Sequence, residues 1–233
     1  QRGSALVFHD VQRVRELAVL HRRPGLQHIL ERRKELFRAF HGLGVALGHL
    51  HSLPLPTSPA TLPVWDAFAA SELTRAADIV AWARPDLSNL SHRTTQLLLR
   101  NPPQKRAPVG LHGDMNSRNW LVTPEDVGLI DLDQASLGPA AADLAGVLAW
   151  LRARTVTGLW QAPRERDLAA ALRHGYAQVR ALPSEAELTW HRGAALLVER
   201  AQRAITRVRP DTLCSLEALM TAAHADSVEA ARG

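Results

Sequence analysis

The stretch Leu111-His-Gly-Asp-Met-Asn-Ser-Arg-Asn119 decides how this sequence is interpreted. It is polar and lies between two short apolar segments, which predicts a loop held between two strands. Asp114 and Asn119 are five residues apart in that loop, so their side chains can point into one cleft. A second polar group, Ile130-Asp-Leu-Asp133, follows the next predicted strand and places Asp131 twelve residues after Asn119.

This set of side chains suits one kind of chemistry, phosphoryl transfer. A carboxylate can orient and deprotonate an attacking hydroxyl, and oxygen ligands can hold the magnesium that neutralises nucleotide phosphates. One carboxylate and one amide from a loop, with a carboxylate from a neighbouring strand end, supply both needs. A single Asp in a loop is more often a turn or cap residue, so the interpretation depends on the combination.

The combination resembles the aminoglycoside phosphotransferase and choline kinase family, whose fold is related to that of protein kinases. Three linked motifs carry the resemblance: His112-Gly-Asp114 with Asn119, then Ile130-Asp-Leu-Asp133, then Gly138 followed by Asp143-Leu-Ala145. The segment Leu47-Gly-His-Leu-His51-Ser is also similar to the family's helix before the substrate loop. The resemblance covers residues 5 to about 228, and its specific motifs lie within 112–145.

The resemblance implies roles for the acidic and amide residues. Asp114 is expected to be the catalytic base or the group that aligns the acceptor hydroxyl. Asn119 and Asp131 are expected to bind Mg²⁺, as the catalytic-loop Asn and the metal-binding Asp do in protein kinases. Asp133 is expected to support a second metal ion or its water shell.

Two further residues are implied to support the loop. His112 would brace the catalytic loop, and Asp143, early in a helix, would accept hydrogen bonds from the loop's backbone. Arg118 could meet a phosphate or face solvent. The loop tip, Met115-Asn-Ser-Arg118, departs from the family's commonest wording, which leaves the acceptor open.

The coarse fold is α+β and mainly helical, with a small β insert carrying the catalytic loop. Apolar, β-branched runs predict strands over 109–111, 120–123 and 127–131. Apolar residues at helical spacing, with Pro and Gly breaks, predict helices elsewhere. These cover about 27–53, 64–83, 88–100, 140–156, 165–181, 185–208 and 212–229.

The resemblance identifies the chain as the C-terminal, large lobe of a protein-kinase-like fold. Residues 1–11 are expected to be the hinge strand of a missing lobe, with His9, Asp10 and Val11 meeting the nucleotide base. Residues 12–233 are the large lobe, with the catalytic loop and metal site at 111–145 and acceptor-side helices at 146–229.

The N-terminal β lobe is expected to be absent, because no Gly-rich loop precedes residue 42 and Lys34 lies in a helical, charge-rich context. Three explanations stay open: a cut piece, a gene start elsewhere, or natural loss.

Composition excludes several classes. With 233 residues, 46% hydrophobic and 22% charged, the chain is a folded protein, and no apolar window predicts a membrane span. Cys214 is the single cysteine, which excludes an intrachain disulfide and favours a reducing, cytoplasmic setting. The net charge of +5 resides in residues 1–50, where Glu31-Arg-Arg-Lys-Glu35 is typical of a solvated helix face, so nucleic acid is not an expected partner.

The expected function is transfer of the γ-phosphate of ATP or GTP, with Mg²⁺, to a hydroxyl of a small molecule. The alternative is a non-catalytic kinase-like binding or regulatory module. Charged residues on the predicted acceptor-side helices mix signs, which favours an acceptor that is not strongly cationic. They are Arg164, Glu165, Arg166, Asp167, Glu185 and Glu187.

Overall fold

The structure is a computed structural model that describes residues 26–55, 62–123 and 126–232. These residues form a mostly helical molecule with four three-residue strands. The helices are α1 Leu26–Leu50, α2 Ala70–Ala83, α3 Ser88–Arg100, α4 Ala141–Val156, α5 Ala162–Ala177, α6 Glu185–Ala195, α7 Arg203–Thr206, α8 Pro210–Leu213 and α9 Leu216–Ala230. The strands are β1 Val109–Leu111, β2 Trp120–Val122, β3 Val127–Leu129 and β4 Ser136–Gly138.

Helices α1 and α5 pack against each other at close range. A Cβ atom added at Gly44 would lie 2.0 Å from the Leu172 carbonyl oxygen, and one at Gly175 would lie 2.0 Å from the His41 carbonyl oxygen. Only glycine therefore permits this crossing of two backbones. The apolar stripe of α1 then enters a core with α4, α5 and the strands. Its buried members include Phe40, Leu43, Leu47, Trp120, Val147, Leu172 and Tyr176.

A second core lies beneath α2, α3, α6 and α9. Its buried members include Leu73, Val80, Leu98, Trp190, Leu197, Leu219 and Met220. Between α6 and α7 the helix widens into a π-helical segment, Leu196–Gln202, which is buried in this core on one side. None of the described helices is long and apolar enough to cross a membrane.

The strands form two antiparallel pairs that hold the polar loops in place. β1 pairs with β4, with Gly110 opposite Leu137, and β2 pairs with β3, with Leu121 opposite Gly128. The loop 112–119 therefore begins in one pair and ends in the other. This arrangement fixes both ends of the loop that the sequence singled out.

Several predicted element bounds were wrong. The second and third strands end at Val122 and Leu129, and β4 was not predicted at all. The predicted helix 64–83 begins only at Ala70, because Val64 forms an isolated parallel bridge with Leu137. The helix predicted at 165–181 runs over Ala162–Ala177, and the one predicted at 27–53 ends at Leu50. The long predicted helices 185–208 and 212–229 are divided by the π segment and by turns near Val208 and Ser215.

Candidate active site

The catalytic-loop prediction concerns Asp114 and Asn119, which lie against each other. The Asn119 side-chain amide Nδ2 donates to the Asp114 carbonyl oxygen at 2.9 Å and to Asp114 Oδ2 at 3.3 Å. Asn116 Nδ2 also donates to Asp114 Oδ2, at 2.8 Å. Asn119 is buried, whereas 30% of the Asp114 side chain is exposed. The carboxylate is thus fixed by two amides and still open to a small molecule.

Asp131 lies beside this pair at the open end of the β2–β3 hairpin. The backbone N–H of Ile130 donates to the Asn119 carbonyl oxygen at 2.9 Å, which extends the ladder by one step. Asp131 then leaves the strand in the left-handed conformation, with φ 63° and ψ 63°. Asp tolerates this conformation better than most residues, and such outliers concentrate at functional sites. Its side chain is exposed next to the position of Asn119.

The two residues before Asp114 are held by contacts to the strands. His112 is buried, and its Nε2 lies 2.8 Å from the Ile130 carbonyl oxygen, so Nε2 must carry the proton. Its Nδ1 then accepts from the Asp114 backbone N–H at 3.4 Å. Gly113 has φ +82°, and a Cβ there would lie 2.1 Å from the Gln134 carbonyl oxygen. A side chain at this position would displace the loop.

Asp143, at the start of α4, joins the loop to the helices. Its two carboxylate oxygens accept from the backbone N–H groups of His112 at 2.7 Å and Gly113 at 3.0 Å. Its Oδ2 also accepts from His51 Nε2 at 3.1 Å. Hydrogen bonds to an ionised group contribute about 1.5–3 kcal/mol each, so the buried carboxylate stabilises the loop substantially.

His51 continues this network to α5. Its Nδ1 lies 3.0 Å from the Tyr176 hydroxyl, and Arg180 donates to its backbone carbonyl at 2.9 Å. Burial raises the pKa of Tyr176 to about 12, so the hydroxyl keeps its proton and donates to His51. The carboxylate, imidazole and phenol therefore form one buried chain from the loop to the α1–α5 crossing.

Charged side chains from the π segment and α7 border the other side of Asp114. Arg203 Nη1 lies 3.6 Å from Asp114 Oδ1. Glu199 contacts Arg200 at 3.6 Å, and burial raises the pKa of its carboxyl. Burial likewise lowers the pKa of Arg200. This side of the site combines two arginines with one carboxyl whose ionisation is opposed by burial.

Other predicted site residues are less closely gathered. His9, Asp10 and Val11 lie outside the described residues. Asp133 is exposed on the turn Leu132–Gln134. Among the described residues, no three His, Cys, Asp or Glu side chains form a group that could hold a metal ion. Asp114, Asp131 and Asp133 are accordingly not a three-carboxylate cluster. Asn119 and Asp131 are related through the backbone, since Ile130, the residue before Asp131, donates to the Asn119 carbonyl oxygen. Arg118 is exposed.

The charged residues expected on the acceptor side make their contacts elsewhere. On α5, Asp167 pairs with Arg33 of α1, Glu165 lies 3.6 Å from Arg152, and Arg164 covers the ring of Trp160. Glu185 and Glu187 pair with Arg173 and Arg106. These contacts involve none of residues 112–119, and the prediction about the charge of the acceptor stays a prediction.

Sequence reasoning missed three residues of the site: His51, Tyr176 and Arg203. The segment around His51 was noticed, but only for its similarity to the family's helix before the substrate loop. Tyr176 and Arg203 lie 62 and 89 residues after Asp114, in helices whose pattern shows only apolar and charged faces. The single tyrosine of the chain was the one available signal.

The family model for the phosphotransferase enzyme family matches residues 8–210, so the chain belongs to that family. The search of curated proteins found no match.

Solved structures share the fold at low sequence identity. A spectinomycin phosphotransferase in complex with ADP and spectinomycin is 17% identical over 84% of this chain and 65% of its own, with a TM-score of 0.51. An amicoumacin kinase in complex with AMP-PNP and Ca²⁺ is 12% identical over 82% and 59%, with a TM-score of 0.55. A thermostable mutant of an aminoglycoside phosphotransferase, in its apo form, is 14% identical over 84% and 67%, with a TM-score of 0.54. This chain thus spans less than two thirds of the length of the spectinomycin phosphotransferase and of the amicoumacin kinase.

Proposed function

We propose that this chain is the large-lobe part of a phosphotransferase that moves the γ-phosphate of ATP or GTP to a hydroxyl of a small molecule. The observation that carries the proposal is the hydrogen-bonded pair of Asp114 and Asn119 beside Asp131 at the end of one hairpin. Membership of the phosphotransferase family supports the same class of reaction.

In this proposal Asp114 aligns the acceptor hydroxyl and takes its proton. The two amides on Oδ2 hold the carboxylate in one orientation, and Oδ1 accepts no hydrogen bond from the described residues, so it is the oxygen proposed to take the proton. Such general-base assistance contributes typically 10²–10⁴-fold to a rate.

The donor set beside Asp114 fits Mg²⁺. An amide oxygen from Asn119 and a carboxylate from Asp131 are hard oxygen ligands of the kind this ion prefers, and Asp133 would act through water. When bound, Mg²⁺ neutralises the charge of the phosphates. The hydrogen bonds of the Asn119 side chain are donated by Nδ2, so Oδ1 is the atom proposed to serve as ligand.

His112 and Asp143 are proposed to act on the loop and not on the substrate. The imidazole ties the loop to β3, and the carboxylate ties it to α4. Because positioning supplies much of the catalysis in phosphoryl transfer, these contacts would matter to the rate.

The nucleotide base is proposed to meet His9, Asp10 and Val11 in the hinge strand. The single cysteine supports a reducing, cytoplasmic setting.

The proposal is tested by measuring Mg²⁺-dependent release of ADP and GDP in the presence of a panel of hydroxylated small molecules. Asp114→Asn should lower an acceptor-dependent rate by about 10²–10⁴-fold. Asp78→Asn is the matched control, because Asp78 is an exposed carboxylate on α2 that contacts only His92 among the described residues.

Acceptor-dependent turnover that survives Asp114→Asn would contradict the assignment of the base. Magnesium-dependent nucleotide binding without turnover, by calorimetry, would favour the non-catalytic binding module instead.

A further inference from the structure

The two carboxylate oxygens of Asp114 face different surroundings. Oδ2 accepts from the amides of Asn116 and Asn119, on the side of the hairpin where Asp131 lies. Oδ1 faces Arg203 Nη1 at 3.6 Å, on the side of α7. The loop amides and Arg203 therefore contact different oxygens of the proposed base, so Arg203 does not compete with the two amides for Oδ2.

The guanidinium of Arg203 has unused hydrogen-bonding capacity. Its 3.6 Å separation from Asp114 is an ion pair without a hydrogen bond, and the described part of the chain offers it no hydrogen-bond acceptor. An arginine has five N–H donors in a planar fork that matches an oxyanion. One third of this side chain is exposed, so a small molecule that reaches Asp114 also reaches Arg203.

The neighbouring charges do not cancel Arg203. Arg200 is already engaged, since it contacts Glu199 and donates to the Gly146 carbonyl oxygen at 3.4 Å. Arg203 and Arg209 both lie close enough to Arg200 to affect its ionisation. Glu199 and Asp114 carry the opposing carboxyl groups, and burial raises the pKa of Glu199. The three arginines therefore outnumber these two carboxyl groups, which disfavours a polycation and favours an anion.

The backbone that presents Arg203 is irregular on both sides. The π segment Leu196–Gln202 ends at the residue before it, and Val208, five residues later, has φ 45°. A π-helical turn rotates the side chains that follow it relative to a regular helix, and such turns occur frequently at functional sites. A β-branched residue at positive φ is a conformational outlier of the kind that also concentrates there.

We propose that Arg203 is a specificity-determining residue that binds an oxyanion of the acceptor, a carboxylate or a phosphate ester, next to the hydroxyl presented to Asp114. This inference rests on the proposed function and names its substrate class. The guanidinium pairs with Asp114 when the acceptor is away and turns its fork to the oxyanion when the acceptor binds. An acceptor of this class is an anionic alcohol and not a polycation.

Matched pairs of ligands test the inference by binding alone. Dissociation constants are measured by NMR titration for 3-hydroxybutyrate against its neutral amide, and for glycerol 3-phosphate against glycerol. The anion of at least one pair should bind about tenfold more tightly, since hydrogen bonds to charged groups contribute about 1.5–3 kcal/mol. The pair with the larger ratio distinguishes a carboxylate from a phosphate ester.

Arg203→Met should reduce the ratio to about twofold or less, and Arg203→Lys should keep part of it because the charge remains without the fork. Arg166→Met is the control, since Arg166 is exposed on α5 and carries the same charge. Three results would overturn the inference. The unaltered protein could bind both members of each pair equally, it could bind neither anion measurably, or the ratio could survive Arg203→Met.

A loss of nucleotide affinity in Arg203→Met, without a change in the ratio, would also overturn it, by assigning Arg203 to the nucleotide. These binding results are separate from turnover, so failure of the proposed function shows in the ADP assay and failure of this inference shows here.

Discussion

Asp143 and His51 show how far single residues can be interpreted from sequence. Asp143 was identified from the motif that begins at Gly138, because the spacing within that motif is fixed. The motif also follows the loop closely in the sequence. His51 lies 92 residues before its carboxylate partner, and nothing local in the sequence links the two. Arg203 is similar. Contacts between residues distant in sequence depend on packing, which neither composition nor periodicity describes.

His191 allows a prediction about acid stability. It is buried among the rings of Trp65, Phe68 and Trp190, and neither ring nitrogen has a hydrogen-bond partner among the described residues. Burial lowers the pKa of His191 from 6.5 to about 3. The unfolded chain therefore takes up a proton near pH 6.5 while the folded protein does not, and stability falls as the pH decreases from 6.5 towards 3.

We expect His191→Phe to remove this part of the pH dependence. Between pH 7 and pH 5 the unaltered protein should lose about 2 kcal/mol of unfolding free energy more than the variant does. Urea denaturation at both pH values measures the difference, with His49→Gln, which alters an exposed imidazole, as the control. An equal loss in the two proteins would show that the buried imidazole is not the cause.

Elements of secondary structure were predictable where the pattern was long. Helix α3 was predicted at 88–100 and is observed at Ser88–Arg100, because Pro85 and Pro102 limit it on both sides. Strand β4 was missed because Ser136-Leu-Gly138 is too short to show an alternation of apolar and polar residues. It forms a strand by pairing with the adjacent β1. The π segment was missed because its apolar residues also fit a regular helix.

The crossing of α1 and α5 allows a prediction at this scale. Gly44→Ala should destabilise the protein by about 1–3 kcal/mol or more, because the added methyl meets the Leu172 carbonyl at 2.0 Å and the Tyr176 backbone nitrogen at 2.7 Å. Chemical denaturation gives the change in unfolding free energy. Gly146→Ala is the helical control, because its nearest contact would be an ordinary 3.6 Å. Similar effects of the two substitutions would mean that helix propensity, and not the crossing, decides the outcome.

The two larger apolar cores of the described residues are joined by α4, and a small third cluster contains Val109, Leu111 and Ala142. The class of fold was predictable, because three motifs in order are specific and most of the chain has helical periodicity. Which helix of the predicted acceptor-side range 146–229 reaches the loop was not predictable, because the order of elements along the chain does not say which of them approaches Asp114.

The attachment of α9 to the rest of the molecule allows the last prediction. Arg192 of α6 donates two hydrogen bonds of 2.7 Å to the buried carboxylate of Asp226. Asp226→Asn should cost about 3–5 kcal/mol, since it leaves a mostly buried arginine without its counter-ion.

The control for this pair is Glu229→Gln, because Glu229 lies 4.0 Å from the same arginine and its side chain is 65% exposed. It should cost less than about 1 kcal/mol. Thermal unfolding of both variants provides the comparison, and a cost below 1 kcal/mol for Asp226→Asn would mean that α9 is held by apolar contacts alone.

The carboxylate of Asp143 binds both the buried imidazole of His51 and the backbone of the loop 112–119. A rise in temperature that loosens the junction of the first and fifth helices would displace Tyr176 and then His51. Through these two residues it would displace the loop, while most of the helices remain folded. Temperature-sensitive alleles of this protein should therefore map to that junction, far from Asp114, and should change the conformation of the loop 112–119 before the polypeptide unfolds.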